Sequence, residues 1–184
     1  MFGRLRSVLS IMLLSLISAA PLHAALETQT LRCEPQICVY VWPRLPAVQG
    51  WHHEHDSSYL YGANAQAPDG QTFATADAVI YARAVYRAGV PGLATLQQLI
   101  DNDRRQFIEQ DADVIIRELK PLINADGQRL RSFSYFPQLQ HGSYEQLSYG
   151  EEGEYFIVVT LSARSRQGYH QALPAYRRFI KAYR

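Results

Sequence analysis

Short runs of β-branched and aromatic residues, separated by Pro, Gly and Asp, set the pattern of the chain beyond residue 30. Ile37 to Pro43 (ICVYVWP) reads as a strand ended by Pro43 and Pro46. Ser57 to Ala67 (SSYLYGANAQA) reads as a second extended stretch, closed by the turn signal Pro68-Asp69-Gly70, and Asp77 to Arg87 (DAVIYARAVYR) as a third. Two hairpins follow. Asp113 to Leu122 and Gln128 to Phe136 flank Asp126-Gly127, while Tyr144 to Tyr149 and Glu154 to Ser162 flank Gly150-Glu151-Glu152-Gly153. Such pairings are antiparallel and leave sheet faces that something else must cover.

Two segments change period from two to 3.6. TLQQLIDNDRRQFIEQ places Leu96, Leu99, Ile100, Phe107 and Ile108 on one helical face, with Thr95 and Gln98 at the spacing of a capping box. The closing segment carries Tyr169, Leu173, Tyr176, Ile180 and Tyr183 at alternating four- and three-residue steps. That stripe reads as core rather than as a ligand surface. Pro174 cannot donate to the carbonyl four residues back, so an irregular first turn is expected there, with regular helix from Pro174 onward.

The first 24 residues have a different character. Arg4 and Arg6 precede an apolar run from Val8 to Ile17, then small residues and a candidate cleavage after Ala24. The run is shorter than the roughly 20 residues needed to span a bilayer, so residues 1–24 are expected to be a cleaved signal peptide that leaves no membrane anchor. Residues 25–184 then form one domain. Without Arg4 and Arg6 the chain holds 16 basic and 17 acidic residues, a formal charge near −1, which argues against a nucleic-acid-binding surface. In the oxidising periplasm the only cysteines, Cys33 and Cys38, are expected to form a small disulfide loop. A redox or zinc role would need a C-x-x-C pair at a helix start or a second cysteine pair, and the sequence has neither.

The order of segments resembles the PsbP-like superfamily, which includes DcrB-type periplasmic proteins and a Ran-binding nuclear import factor. The resemblance runs through LPAVQGW, PDGQTFATADAVIYARAVYR, TLQQLIDNDRRQF, EYFIVVTLSA and ALPAYRRFIKAYR, with Gly50-Trp51 and the closing aromatic helix its most recognisable parts. It implies an α+β fold: an antiparallel sheet of about six to seven strands sandwiched by helices, used for binding or assembly rather than catalysis. It transfers no functional residues.

Candidate chemistry is concentrated in WHHEHD, Trp51 to Asp56. On an extended chain His53 and His55 share one face while His52, Glu54 and Asp56 share the other. Two same-face histidines leave a tetrahedral ion short of protein ligands, and neither His141 nor His170 lies in a recognisable ligand pattern. The favoured reading places Trp51 in the core and the polar residues at a solvated strand start; metal binding through His53 and His55 is the alternative. No nucleophile elbow, phosphate loop or dinucleotide fingerprint is present. Ser143 lies beside His141 only in sequence, and Asp101 with Asp103, or Glu151 with Glu152, has the spacing of a solvated helix start and a hairpin tip. The expected function is therefore a non-enzymatic periplasmic binding or accessory protein without cofactor, engaging a protein partner; an immunity protein against a toxin delivered to the periplasm is one special case. A hydrolase with an unrecognised site would announce itself by a concave pocket gathering titratable groups.

Overall fold

A computed structural model describes residues 25–138 and 142–184. Residues 1–24, expected from the sequence to be a signal peptide, and His141 lie outside them. Seven strands form one wholly antiparallel sheet in the order β3-β4-β5-β9-β8-β7-β6. They are β3 (Trp51–His53), β4 (Asn64–Pro68), β5 (Ala78–Tyr86), β6 (Ile115–Ile123), β7 (Arg129–Phe136), β8 (Tyr144–Glu152) and β9 (Tyr155–Ala163). A separate hairpin, β1 (Leu26–Cys33) with β2 (Gln36–Pro43), carries the Cys33–Cys38 disulfide near its tip.

Alternation along β9 divides the core in two. Ile157, Val159 and Leu161 face α3 (Arg166–Ala182) and its Tyr176, Phe179 and Ile180, whereas Phe156 and Val158 face α2 (Leu96–Gln110) and its Leu99 and Ile100. The helices therefore cover opposite faces, and the fold is an α+β sandwich with the sheet in the middle. The tyrosine stripe of α3 is core: Tyr169, Tyr176, Ile180 and Tyr183 are all buried. Thr95 and Gln98 form the expected capping box at the start of α2.

Four expectations need correction. The stretch Ser57–Ala67 is not one strand: α1 (His55–Tyr61) occupies its first half, and Gly62 ends the helix in the left-handed region at φ 60° before β4 begins. The reason lies in Ser58, whose buried hydroxyl donates to the Glu54 carbonyl and accepts from the Ala65 N–H, tying the turn to β4. Helix α3 begins at Arg166, eight residues before Pro174, because Ser165 caps it by accepting from the Gly168 N–H. Pro174 is exposed, so the carbonyl it leaves without a donor belongs to exposed His170 and can be met by water. Gly168 is required there: a Cβ would collide with the Asp77 carboxylate, which itself accepts from Ser165. On α2, Ile108 is 47% exposed, and Asp103 instead lies in the buried stripe. Finally, β8 runs on to Glu152 and pairs it with Tyr155, so the last hairpin turns on Gly153-Glu154 alone.

Candidate functional site

WHHEHD is split between two elements. β3 ends at His53, Glu54 is the N-terminal cap position of α1, and His55 and Asp56 open the helix, so strand alternation does not govern the cluster. His52 Nε2 lies 2.8 Å from Glu54 Oε1, and His52 Nδ1 lies 3.6 Å from Asp69 Oδ1. Glu54 also accepts from the Phe73 N–H at 3.3 Å, and the His52 contact is the main cause that holds its carboxyl below the ordinary range. His53 Nε2 is 2.8 Å from Ser58 Oγ. The His53 and His55 rings approach to 4.4 Å between centroids, and burial first, then His55, lowers the pKa of His53. Trp51 packs edge-on against Phe179 of α3. The segment thus joins β3 to α1 and pins the loop at Phe73. His53 and His55 are brought together as a pair, but among the described residues no three His, Cys, Asp or Glu side chains converge as an ion would need.

The concave feature lies on the α2 face, where Tyr61 at the end of α1 and the Phe73 that Glu54 holds reach its lining. Helix α2 packs on this face against Phe133 and Tyr135 of β7, Leu147 and Tyr149 of β8 and Phe156 and Val158 of β9. Tyr81 and Arg83 of β5, Glu145 of β8 and Thr160 and Ser162 of β9 point to this face by strand register, and they floor an open cleft of about 460 Å³. Phe107 and Gln106 of α2 form one wall, and Tyr61 and Phe73 the other. A neighbouring hollow of about 490 Å³ shares Phe107 and Glu145 and is rimmed by Asp111 and Asp113.

Two polar arrangements organise the cleft. Arg83 Nη2 donates to both oxygens of buried Asp103, at 2.9 and 2.8 Å, and the Tyr149 hydroxyl donates to the same carboxylate at 3.1 Å. This locks the guanidinium against α2. Burial and then the Asp103 charge push the Tyr149 phenol well above its usual range, and burial pushes that of Tyr135 up to about 12. Glu145 is different. It is half-buried, accepts only one hydrogen bond among the described residues, from Ser162 Oγ at 3.1 Å, and burial pushes its carboxyl up to about 7. A carboxyl so perturbed in a cleft marks a functional candidate. Among the described residues no histidine lines the cleft beside Ser162, and Glu145 offers there an acceptor, a negative charge and a titratable proton.

Sequence reasoning placed Asp103 on a solvated helix start and did not single out Glu145, Arg83, Tyr81 or Phe73. The signal for Asp103 was available: Leu96, Leu99, Ile100, Asp103 and Phe107 continue the three- and four-residue spacing that marks the inner face. Glu145 carried no such signal, since its burial comes from cross-strand neighbours Tyr135 and Ser162.

No family model and no curated protein matches the sequence. Among solved structures, the chain is similar to the solution structure of cyanobacterial PsbP (CyanoP) from Synechocystis sp. PCC 6803, at 12% identity over 89% of this chain and 95% of that one, with a TM-score of 0.39. That protein bears the family name that the segment order resembles. The architecture itself rests on the strand pairings and the two helix-covered faces.

Proposed function

We propose that this chain is a non-enzymatic exported domain that binds a protein partner across the open cleft on the α2 face. The observation that carries the reading is the cleft itself, where a sheet floor holding half-buried Glu145 lies open between a wall of exposed Tyr61 and half-buried Phe73 and a wall of Gln106 and Phe107. Export is supported by the Cys33–Cys38 disulfide, which fits an oxidising compartment, and by the arginine-led apolar start of the sequence. No helix among the described residues is long and apolar enough to cross a membrane. The periplasm is the compartment this reading assigns, and a periplasmic immunity protein is one form it can take.

The edges of the seven-stranded sheet are less suited to a partner. β3 is only three residues long, and β6 carries Lys120, Pro121 and an irregular register between Leu119 and Leu122. Short edges, prolines and bulges all discourage strand addition. A metal role at His53 and His55 stands second: the rings are adjacent, yet His53 Nε2 is already engaged by Ser58.

The test is affinity capture in the producing organism with three forms of the mature chain. Gln106 is exposed on the cleft wall, so Gln106→Trp fills the opening without touching the core, whereas Arg177→Trp alters the exposed side of α3. The expected result is one partner retained by wild type and Arg177→Trp and lost by Gln106→Trp. Equal retention by all three forms would reject the cleft as the docking site.

A further inference from the structure

We infer that the cleft recognises an organic ammonium group, presented by the partner as a lysine side chain. The inference rests on the reading of the cleft as a protein-binding site and adds the chemistry of what enters it. Three aromatic side chains line one side in sequence: Tyr61 and Phe73 have ring centroids 5.2 Å apart, and Phe73 meets Tyr81 edge-on at 6.1 Å. Ring faces attract cations, most strongly where water is thin. Glu145 supplies the opposite charge.

The electrostatic balance selects the sign of the ligand. Among the described residues Arg83 is the one cation lining the cleft, and both Asp103 oxygens hold its guanidinium, so the two charges offset each other and Glu145 remains. An anionic ligand would meet that carboxylate with no free cation among the described lining residues to offset it. A neutral apolar ligand would cover the carboxylate without a partner, which is costly. An ammonium satisfies the carboxylate and the rings together.

Geometry then distinguishes lysine from arginine. Ser162 Oγ already donates to Glu145 Oε1, so a guanidinium fork would have to share that oxygen with the serine, whereas a compact ammonium can take Oε2 alone. The cleft, at about 460 Å³, admits an extended lysine side chain while leaving its backbone outside. Along that outer path, Asp111 and Asp113 rim the adjoining hollow and extend the negative character toward a basic segment.

The groups facing Glu145 are Tyr81 and Arg83 from β5, Asp103 from α2, Tyr135 from β7 and Thr160 and Ser162 from β9, with Asp111 and Asp113 across the shared hollow. Of these, Glu145 is the group whose carboxyl lies at about 7. Ammonium binding should therefore strengthen from pH 5.5 to pH 8, while the lysine, with an ordinary pKa of about 10.4, stays charged throughout.

The experiment is an NMR titration of ¹⁵N-labelled mature protein with the peptide acetyl-Gly-Gly-Lys-Gly-Gly-amide, its norleucine and arginine counterparts, and free cadaverine. The expected result is saturable shifts at the amides of Phe73, Tyr81, Phe107 and Glu145 with the lysine peptide, at least tenfold weaker binding of the norleucine and arginine peptides, and weaker binding at pH 5.5. Glu145→Gln and Phe73→Leu, each checked for an unchanged fold by its spectrum, should each weaken the lysine peptide at least tenfold. Equal binding of lysine and norleucine peptides, or no shifts at these amides, overturns the inference. Cadaverine binding tighter than the peptide overturns the assignment to a protein lysine in favour of a free amine. If Gln106→Trp abolishes partner capture but the lysine peptide does not bind, the inference fails and the protein-docking reading stands; if the peptide binds the cleft but capture is indifferent to Gln106→Trp, the reading fails and ammonium recognition stands.

Discussion

Burial sets the behaviour of Glu145. Its carboxyl titrates at about 7 in the folded chain against an ordinary value of 4.5, so between those values the unfolded chain releases a proton that the folded chain keeps. The stability contributed by this group is therefore fully present below pH 4.5 and is lost as pH rises through about 7. Glutamine at this position keeps the shape and removes the titration. Thermal melts of wild type and Glu145→Gln should nearly coincide at pH 4 and separate progressively by pH 8, with the variant the more stable; a separation that does not change with pH contradicts the burial of this carboxyl. Asp103 and Glu145 also show what single residues reveal in a sequence. Asp103 continues the inner-face spacing of α2, and an aspartate on such a face signals a buried partner, which Arg83 supplies from 20 residues earlier in the chain. Glu145 owes its environment to strands β7 and β9, and no local pattern records that.

At the scale of elements, helical and hairpin periods were legible wherever one local rule decided the outcome. The capping box at Thr95 and Gln98, the aromatic stripe of α3 and the hairpin around Asp126-Gly127 are such cases. α1 was not, because SSYLY carries β-forming tyrosines, and its helix depends on Ser58 reaching both Glu54 and Ala65. The early start of α3 likewise depends on Asp77, a residue 88 positions before Ser165, lying where the cap forms. The two helices also give a paired test of burial. Ile180 is 1% exposed within the α3 core, whereas Ile108 is 47% exposed on α2. Ile180→Asp buries an unpaired charge and should cost more than about 4 kcal/mol or prevent folding, while Ile108→Asp should change stability by no more than about 0.5 kcal/mol. Chemical denaturation of the two variants measures both, and similar losses would mean that the faces of these helices are wrongly assigned.

At the scale of the whole molecule, the sheet is covered by α3 on one face and only partly by α2 on the other, and that asymmetry creates the cleft. The hairpin β1–β2 is not hydrogen-bonded into this sheet, although β2 lies against β5 and Leu26 packs on the core. Trp42, at its base, is buried among Tyr40 and Tyr59, whereas Ile37 and Val39, toward the disulfide, are 72% and 62% exposed. Closing so short a loop restricts the unfolded chain by about 2 kcal/mol in the entropic account. Cys33→Ala/Cys38→Ala should therefore loosen the hairpin tip, seen as faster amide exchange near Val39, while amides of β8 and β9 keep their protection; loss of protection throughout the sheet would show that the hairpin holds the core together. The general architecture could be read from strand and helix periods, but the cleft could not, because residues of α2, β5, β8, β9 and the Phe73 loop that Glu54 pins meet there from distant parts of the sequence. The most direct test of the account is site-specific photocrosslinking in the living producer, with a photoreactive phenylalanine placed at Phe73, at Gln106 or at Arg177. The account predicts a single protein adduct from the first two positions and none from Arg177. An adduct confined to Arg177, or equal adducts from all three positions, would contradict the claim that the cleft on the α2 face is where this protein meets its partner.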